Sequence, residues 1–439
     1  MSLGRYPEYK ESGTGWLGAV PEHWSVLRLK ALLDEIDTRA SREQLELLGL
    51  SKTLGVRRRS DIDQGAAESD DYGKYKTVDV GDIVMNRMQS WNGVFGVSPT
   101  KGMTSPDYAV FRVRDEVNAR FLCELFRTDI ASGEFYRRCR GMGTAFLRLN
   151  TGDFFDVKVA LPPGDEMASI ITFLDHETAK IDSLVAAQGR LIELLQDKRQ
   201  AVISHAVTKG LIPSASMSES GVGWLGDIPS HWRHAPFAQI IGFQEGPGIM
   251  AADFTESGVP LLRVSGVQGR WVTLEGCNYL DPAKVGRLWS HFQLDIGDLV
   301  ISASASMGTV AEVDGEAVGA VPYTGLIRMK PRDGVMSRDF ARFFLSSGAF
   351  YTQIELLRTG ATIQHFGPTH LRQMKVVVPP MQEQRQIVEF LEARVSDIDA
   401  LMAHAENAMT LLQERRSALI SAAVTGQIDV RGLADQEVA

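Results

Sequence analysis

Cysteine is scarce in this chain. The 439 residues include three, Cys123, Cys139 and Cys277, with no C-x-x-C spacing and at unmatched places in the two halves. That spacing excludes a zinc site, and the thiols read as buried or incidental groups in a reducing compartment. Long apolar runs are missing too: nothing approaches a run of about 18 apolar residues, and Met1–Lys10 has no basic-then-apolar leader. The expectation is a cytoplasmic protein with no membrane contact. Positive charge is not in excess either, since 46 Lys and Arg stand against 55 Asp and Glu for a net charge of −9. The acidity collects in residues 161–220 and 381–439, while 1–160 and 221–380 are near neutral with local basic clusters. Such a field can still grip phosphate, with less non-specific affinity than a basic protein has.

Catalytic signatures are absent as well. There is no G-x-x-x-x-G-K-[ST] phosphate loop, no H-E-x-x-H, and no acidic cluster ending in Glu-x-Lys. Neither Pro-Pro pair follows Asn or Asp, so the tetrapeptide with which amino-methyltransferases hold a target base is missing. The nine histidines are scattered, and none pairs with a cysteine or serine at a recognisable spacing. Gly13-Thr-Gly15-Trp-Leu-Gly18 and Gly221-Val-Gly223-Trp-Leu-Gly226 satisfy G-x-G-x-x-G by letter. A dinucleotide site needs a buried strand before those glycines and a helix after them. Here Lys10-Glu11-Ser12 is no strand, and Pro21 and Pro229 stop any helix.

What the chain does have, it has twice. Glu11–Trp24 reads ESGTGWLGAVPEHW and Glu219–Trp232 reads ESGVGWLGDIPSHW. Pro162-Pro163 leads a helical stretch ending near Thr208, and Pro379-Pro380 leads its twin, ending near Thr425. Between these markers, Leu47–Ser51 corresponds to Leu261–Ser265, Val78–Val84 to Leu294–Val300, and Val157–Val159 to Met374–Val376. These runs are strand-like, with Gly-Asp turns, while Asn118–Phe126 and Arg338–Leu345 read as amphipathic helices. The order is lobe, long helix, lobe, long helix. A doubled unit suits a target presented in two places.

The stretch Asp165–Thr208 holds no proline and one glycine, Gly189. Its apolar residues Ile170, Leu174, Ile181, Leu184, Leu191, Leu195 and Val202 follow a seven-residue repeat, matched by Ile387, Leu391, Ile398, Leu401, Leu412 and Leu419. Sustained heptads predict helices packed on partner helices, and each stretch is the obvious partner of the other. At about 1.5 Å per residue each would run about 60–65 Å, longer than one core needs. The plainer alternative is a core helix within a single globule.

Basic, amide and aromatic side chains gather in the loops that differ between the copies. The first lobe offers Arg57, Arg58, Arg59, Asn86, Arg87, Gln89, Trp91, Asn92, Arg137, Arg138, Arg140, Thr144 and Arg148. The second offers Arg263, Gln268, Arg270, Trp271, Ser302, Ser304, Ser306, Arg358, Thr362, Gln364, His365 and His370. Arg and Lys pair with phosphates or guanine edges, and Asn and Gln with adenine. Any one of these residues taken singly reads better as part of a solvated face; as a set they point to DNA.

The repeated E-S-G-x-G-W-L-G-x-h-P-x-H-W (h apolar), the V-G-D-I-V and I-G-D-L-V strands and the Pro-Pro helix starts resemble the specificity subunit of type I restriction–modification systems, over essentially the whole chain. The resemblance implies an α+β chain: two similar mixed α/β target-recognition lobes separated by two long antiparallel coiled-coil helices, with a pseudo-two-fold internal repeat. Residues 1–163 would be the first target-recognition domain, 164–210 the first conserved helical spacer, 211–380 the second domain, 381–426 the second spacer, and 427–439 a C-terminal tail. Each lobe would read one half of a bipartite, asymmetric double-stranded DNA target. The helices would set the spacing and dock two methyltransferase (modification) subunits, which restriction and translocase subunits would join in phage defence. S-adenosylmethionine, ATP and Mg would sit on those partners, with no cofactor, metal or catalysis in this chain. Three rivals differ in class: a two-lobed coiled-coil adaptor that bridges proteins without touching DNA, an enzyme on a duplicated fold, and a recognition subunit of a related methylation-based defence system.

Overall fold

The computed structural model describes residues 4–40, 45–62, 72–114, 117–141, 147–303, 310–358 and 366–433. The chain separates into two compact units, residues 1–188 with 407–439 and residues 189–406. The predicted long helices are both present and unbroken, Gly164–Lys209 and Met381–Val424, and each contributes one half to each unit.

Unit 1 is built on a four-stranded antiparallel sheet in the order Leu33–Ile36, Tyr108–Val113, Ile83–Asn86, Phe95–Val97. Alternation along these strands divides the core in two, because successive side chains leave opposite faces. Ile83, Met85, Phe95 and Phe111 join the larger core, with helices Ala119–Phe126 and Asp129–Arg138 and the long-helix residues Ile170, Leu174, Ala423 and Val424. Val84 and Val110 face a smaller core under the hairpin Leu48–Ser51/Gly55–Arg58. Local chemistry fixes the helix starts: the Asn118 side chain accepts from the Arg120 and Phe121 amides, and Thr128 accepts from Ala131. Residues after the second long helix are also integral to this unit. Val430 is buried, Ile428 and Leu433 pack beside it, and the Asp429 amide donates to the Gly4 carbonyl at 2.8 Å.

Unit 2 repeats the frame with the sheet Ile241–Glu245, Leu326–Pro331, Leu299–Ser302, Val310–Glu312. Helix Arg338–Leu345, capped by Ser337, takes the place of Ala119–Phe126. Its larger core gathers Ile203, Ala206, Val207, Ile387 and Leu391 from the long helices. The other face differs. A second four-stranded sheet, Phe254–Thr255, Asn278–Leu280, Val259–Leu262 and Val321–Pro322, stands where unit 1 has its hairpin, over two small cores of its own.

The long helices run antiparallel within each unit, and the same ion pair marks both crossings. Arg416 Nε meets Asp182 Oδ1 at 2.9 Å in unit 1, and Arg199 Nε meets Asp399 Oδ1 at 2.8 Å in unit 2. Residue for residue, Arg199 and Asp182 of the first helix correspond to Arg416 and Asp399 of the second, so the repeat extends to side-chain chemistry. Of the heptad residues, Ile170, Leu174, Ile181, Leu195, Ile387, Leu391 and Ile398 are buried, and Val202, Leu412 and Leu419 half-buried. Leu184, Leu191 and Leu401 remain 51, 43 and 53 % exposed. The lobes cover the helix ends, and the middle keeps apolar side chains in solvent.

Candidate nucleic-acid interface

The repeated motif turns out to hold the frame together. In unit 1 the Trp24 indole N–H donates to Glu166 Oε1 at 3.0 Å, His23 Nε2 lies 2.7 Å from Oε2, and the Tyr6 hydroxyl donates to Oε1 at 2.7 Å. In unit 2 the Trp232 N–H donates to Glu383 Oε2 at 2.8 Å and His231 Nε2 lies 2.5 Å from Oε1. Each His-Trp pair thus binds a carboxylate in the first turn of the long helix that follows it. Negative charge at a helix N-terminus is favourable in its own right. Burial, reinforced by Glu166, pushes the Tyr6 hydroxyl well above its ordinary range. The same tryptophans roof the far ends of the opposite helices. Gly210 (φ +76°) and Gly426 (φ +73°) end those helices in the left-handed region, where a Cβ would crowd Trp232 in one copy and Pro21 and Trp24 in the other. Glu166 and Glu383 were not singled out from the sequence. The available signal was an acidic residue three places after each Pro-Pro pair.

The candidate DNA residues sort by what already holds them. Arg58 pairs with Glu46 at 2.8 Å, Arg87 with Glu35 at 2.7 Å, Arg138 with Glu134 at 2.7 Å, Arg140 with Asp153 at 2.9 Å and Arg148 with Asp107 at 3.1 Å. Arg137 also reaches Glu134, a buried carboxylate that serves both arginines. Arg87 is the most enclosed of these, since it also donates to Thr151. Arg57 and Arg59 have no carboxylate within salt-bridge distance among the described residues. Asn86 accepts from the Met88 amide through its side chain, Gln89 is exposed, and the Trp91 indole donates to the Met88 carbonyl at 2.9 Å. Asn92 is exposed and accepts from Lys52 Nζ at 2.9 Å.

In unit 2, Arg263 lies 4.8 Å over the Tyr323 ring and donates to Asn278 Oδ1 at 2.7 Å. Gln268 is exposed, and Arg270 stacks 5.3 Å over Trp271 while pairing with Glu392 at 3.3 Å. Arg270 and Trp271 line an open groove of about 560 Å³ with Arg338, Arg385 and Glu389. His370 Nδ1 accepts from the Gly367 amide, Arg358 ends the helix Gly348–Arg358, and Ser302 is buried. Thr144, Ser304, Ser306, Thr362, Gln364 and His365 lie outside the described residues. Among the described residues no cluster of three or more His, Cys, Asp or Glu is arranged to hold a metal, and no helix is long and apolar enough to cross a membrane.

With this geometry in place, known proteins can be set beside it. A family model described as the type I restriction modification DNA specificity domain matches residues 289–410. The putative type I restriction enzyme MjaX specificity subunit of Methanocaldococcus jannaschii is 22% identical over 445 residues, covering 94% of this chain and 96% of that one. The MjaVIII specificity subunit of the same organism is 22% identical over 307 residues, 68% of this chain and 69% of its own length. These matches make the chain similar to type I specificity subunits. The fold is similar to that of solved chains. A chain from a study of complex assembly and conformational transition of the type I R-M system aligns with TM-score 0.69 at 16% identity, over 92% of this chain and 98% of that one. The HsdS subunit from Thermoanaerobacter tengcongensis aligns with TM-score 0.52 at 17% identity, over 93% and 98%.

Proposed function

We propose that this chain is a type I specificity subunit that recognises a bipartite, asymmetric DNA target and directs partner methyltransferase and restriction subunits to it. Each unit reads one half-site. The observation that carries this reading is the combination of a frame repeated down to single ion pairs with reading faces that differ, a hairpin in unit 1 and a four-stranded sheet in unit 2. A repeated frame presents two readers in equivalent ways, and unlike faces select unlike sequences. Joining two weak readers in one chain raises the effective concentration of the second contact.

The exposed apolar residues of the long helices, Leu184 in unit 1 and Leu191 and Leu401 in unit 2, are offered to the modification subunits, each unit presenting its own. S-adenosylmethionine, ATP and Mg belong to those partners and to the restriction subunits, and this chain contributes recognition without catalysis in the cytoplasm. Methylation then requires the partner to flip the target base from the stack, outside this chain.

The test exchanges residues 25–161 for the first lobe of another family member and maps methylation across the host genome. The expected result is a new sequence in one half of the target and an unchanged second half. A change in both halves, or in neither, would show that the units do not read independently. An adaptor that never touches DNA predicts no salt-dependent duplex binding, whereas a DNA reader loses affinity steeply as salt rises.

A further inference from the structure

Three cations of unit 1, Arg57 among them, differ from the carboxylate-paired arginines: their hydrogen-bond acceptors are neutral. Lys52 Nζ donates to the Asn92 amide oxygen at 2.9 Å, Arg127 donates to the Lys52 carbonyl at 2.5 Å, and Arg57 to the Val56 carbonyl at 3.1 Å. Among the described residues no carboxylate comes within salt-bridge distance of any of them, although Glu124 lines the same cavity of about 340 Å³ as Arg57 and Arg127. The contacts join one continuous strip. Arg57 leads through the cavity to Arg127, then to Lys52 and Asn92, and Asn92 is next in sequence to Trp91. The Trp91 ring meets Tyr136 edge-on, with centroids 6.0 Å apart, and Tyr136 is 52 % exposed.

Resting on the reading that this subunit binds duplex DNA, we propose that this strip is the unit 1 contact surface, with Lys52, Arg57 and Arg127 gripping backbone phosphates while the Trp91–Tyr136 edge reads a base. The chemistry separates these residues from their neighbours. At Arg58, Arg87 and Arg140 a carboxylate already offsets the positive charge, so an arriving phosphate gains less from the cation and meets a like charge beside it. At Lys52, Arg57 and Arg127 the present acceptor is a neutral carbonyl or amide, so a phosphate brings an opposite charge that these cations do not yet meet, and the bond to it is stronger. The Trp91 N–H is already satisfied by Met88, which leaves the ring itself as its contact surface. The Asn92 oxygen is engaged by Lys52, but its amide N–H groups remain free to donate to a base edge. Among the described residues unit 2 shows no counterpart, because its sheet replaces the hairpin that carries Arg57 and Arg263 packs onto Tyr323. The strip therefore governs one half-site only.

The test titrates a fluorescent random-sequence duplex with the full-length chain, assembled with its modification subunits, across a salt series. Lys52→Gln, Arg57→Gln and Arg127→Gln together keep hydrogen-bonding side chains and remove three charges. The slope of log affinity against log salt is expected to fall by about 2–3, at about 0.9 per phosphate released. The exposed single variant Lys52→Gln, which perturbs no core, is expected to lower it by about 1. Trp91→Ala and Tyr136→Ala are expected to keep the slope and to relax base preference in one half of the methylated target, read by genome-wide mapping. A wild-type chain with no salt-dependent duplex binding sinks the DNA reading itself. Salt-dependent wild-type binding with unchanged slopes in the Gln variants overturns the strip as the phosphate grip. Aromatic variants that leave the target intact, or alter both halves, overturn it as the base reader.

Discussion

Replacing Glu166 by alanine should loosen unit 1 by more than the equivalent Glu383→Ala loosens unit 2. Glu166 is 6 % exposed and holds two enclosed donors, the Trp24 indole and the Tyr6 hydroxyl, besides His23. Removing the carboxylate orphans both donors where water cannot follow, at about 1–3 kcal/mol each, so about 2–6 kcal/mol in all. Glu383 serves one enclosed donor, the Trp232 indole; its other partner, His231, has a half-exposed side chain that water can satisfy. The loss there is about 1–3 kcal/mol. The conservative Glu166→Gln keeps an acceptor oxygen and should recover part of the loss. Urea unfolding gives the global change, and amide hydrogen exchange over 164–175 and 381–392 locates it. Equal losses at the two sites, or no loss of protection in the first turns of either long helix, would refute the clamp.

Two further expectations follow from the frame. Removing one heptad from the middle of each long helix, so that Arg199–Asp399 and Arg416–Asp182 can still form, shortens the pair by about 10 Å, or about three base pairs of duplex. Methylation mapping should then find the unread gap shortened and both half-sites intact, and an unchanged gap would dispose of the helices as its ruler. Hydrogen bonds from Arg431 hold the Asp429 carboxyl below its ordinary range. A depressed carboxyl contributes stability above the usual value of about 3.9, and that stability is lost as pH falls through the lowered one. Asp429→Asn should therefore flatten the acid limb of the stability profile, and a profile identical to wild type would contradict this.

What could be read from the sequence was what is encoded locally or by repetition. Two long helices, paired Gly-Asp turns and the Asn118 and Ser337 helix starts each depend on residues a few positions apart. The glycine-rich motif was separated from nucleotide binding by its flanking prolines and by the lack of a strand before it. Tyr9–Glu11 does form a strand, but a short, unburied one paired with Ala19–Pro21, so a strand and not a helix follows the glycines. The partners stayed hidden because they are distant in the chain: His23 and Glu166, Arg87 and Glu35, Arg120 and Asp175. An arginine run such as Arg137-Arg138 does not reveal that one buried glutamate neutralises it from the preceding turn. Lys52, Arg127 and Tyr136 carried no sequence signal, because each is an isolated residue until folding brings it beside Asn92 or Trp91.

The division of each sheet between two cores has an evolutionary consequence. Substitutions under the hairpin, at Leu48, Leu50 or Val56, disturb a small hydrophobic pocket walled off by the sheet from the one that anchors the long helices. A gene that duplicated such a module could let either copy drift toward a new preference, by mutation or by wholesale exchange, while the assembly surface stayed under its own selection. The sheet acts as a firewall, and innovation on one side leaves inheritance on the other intact.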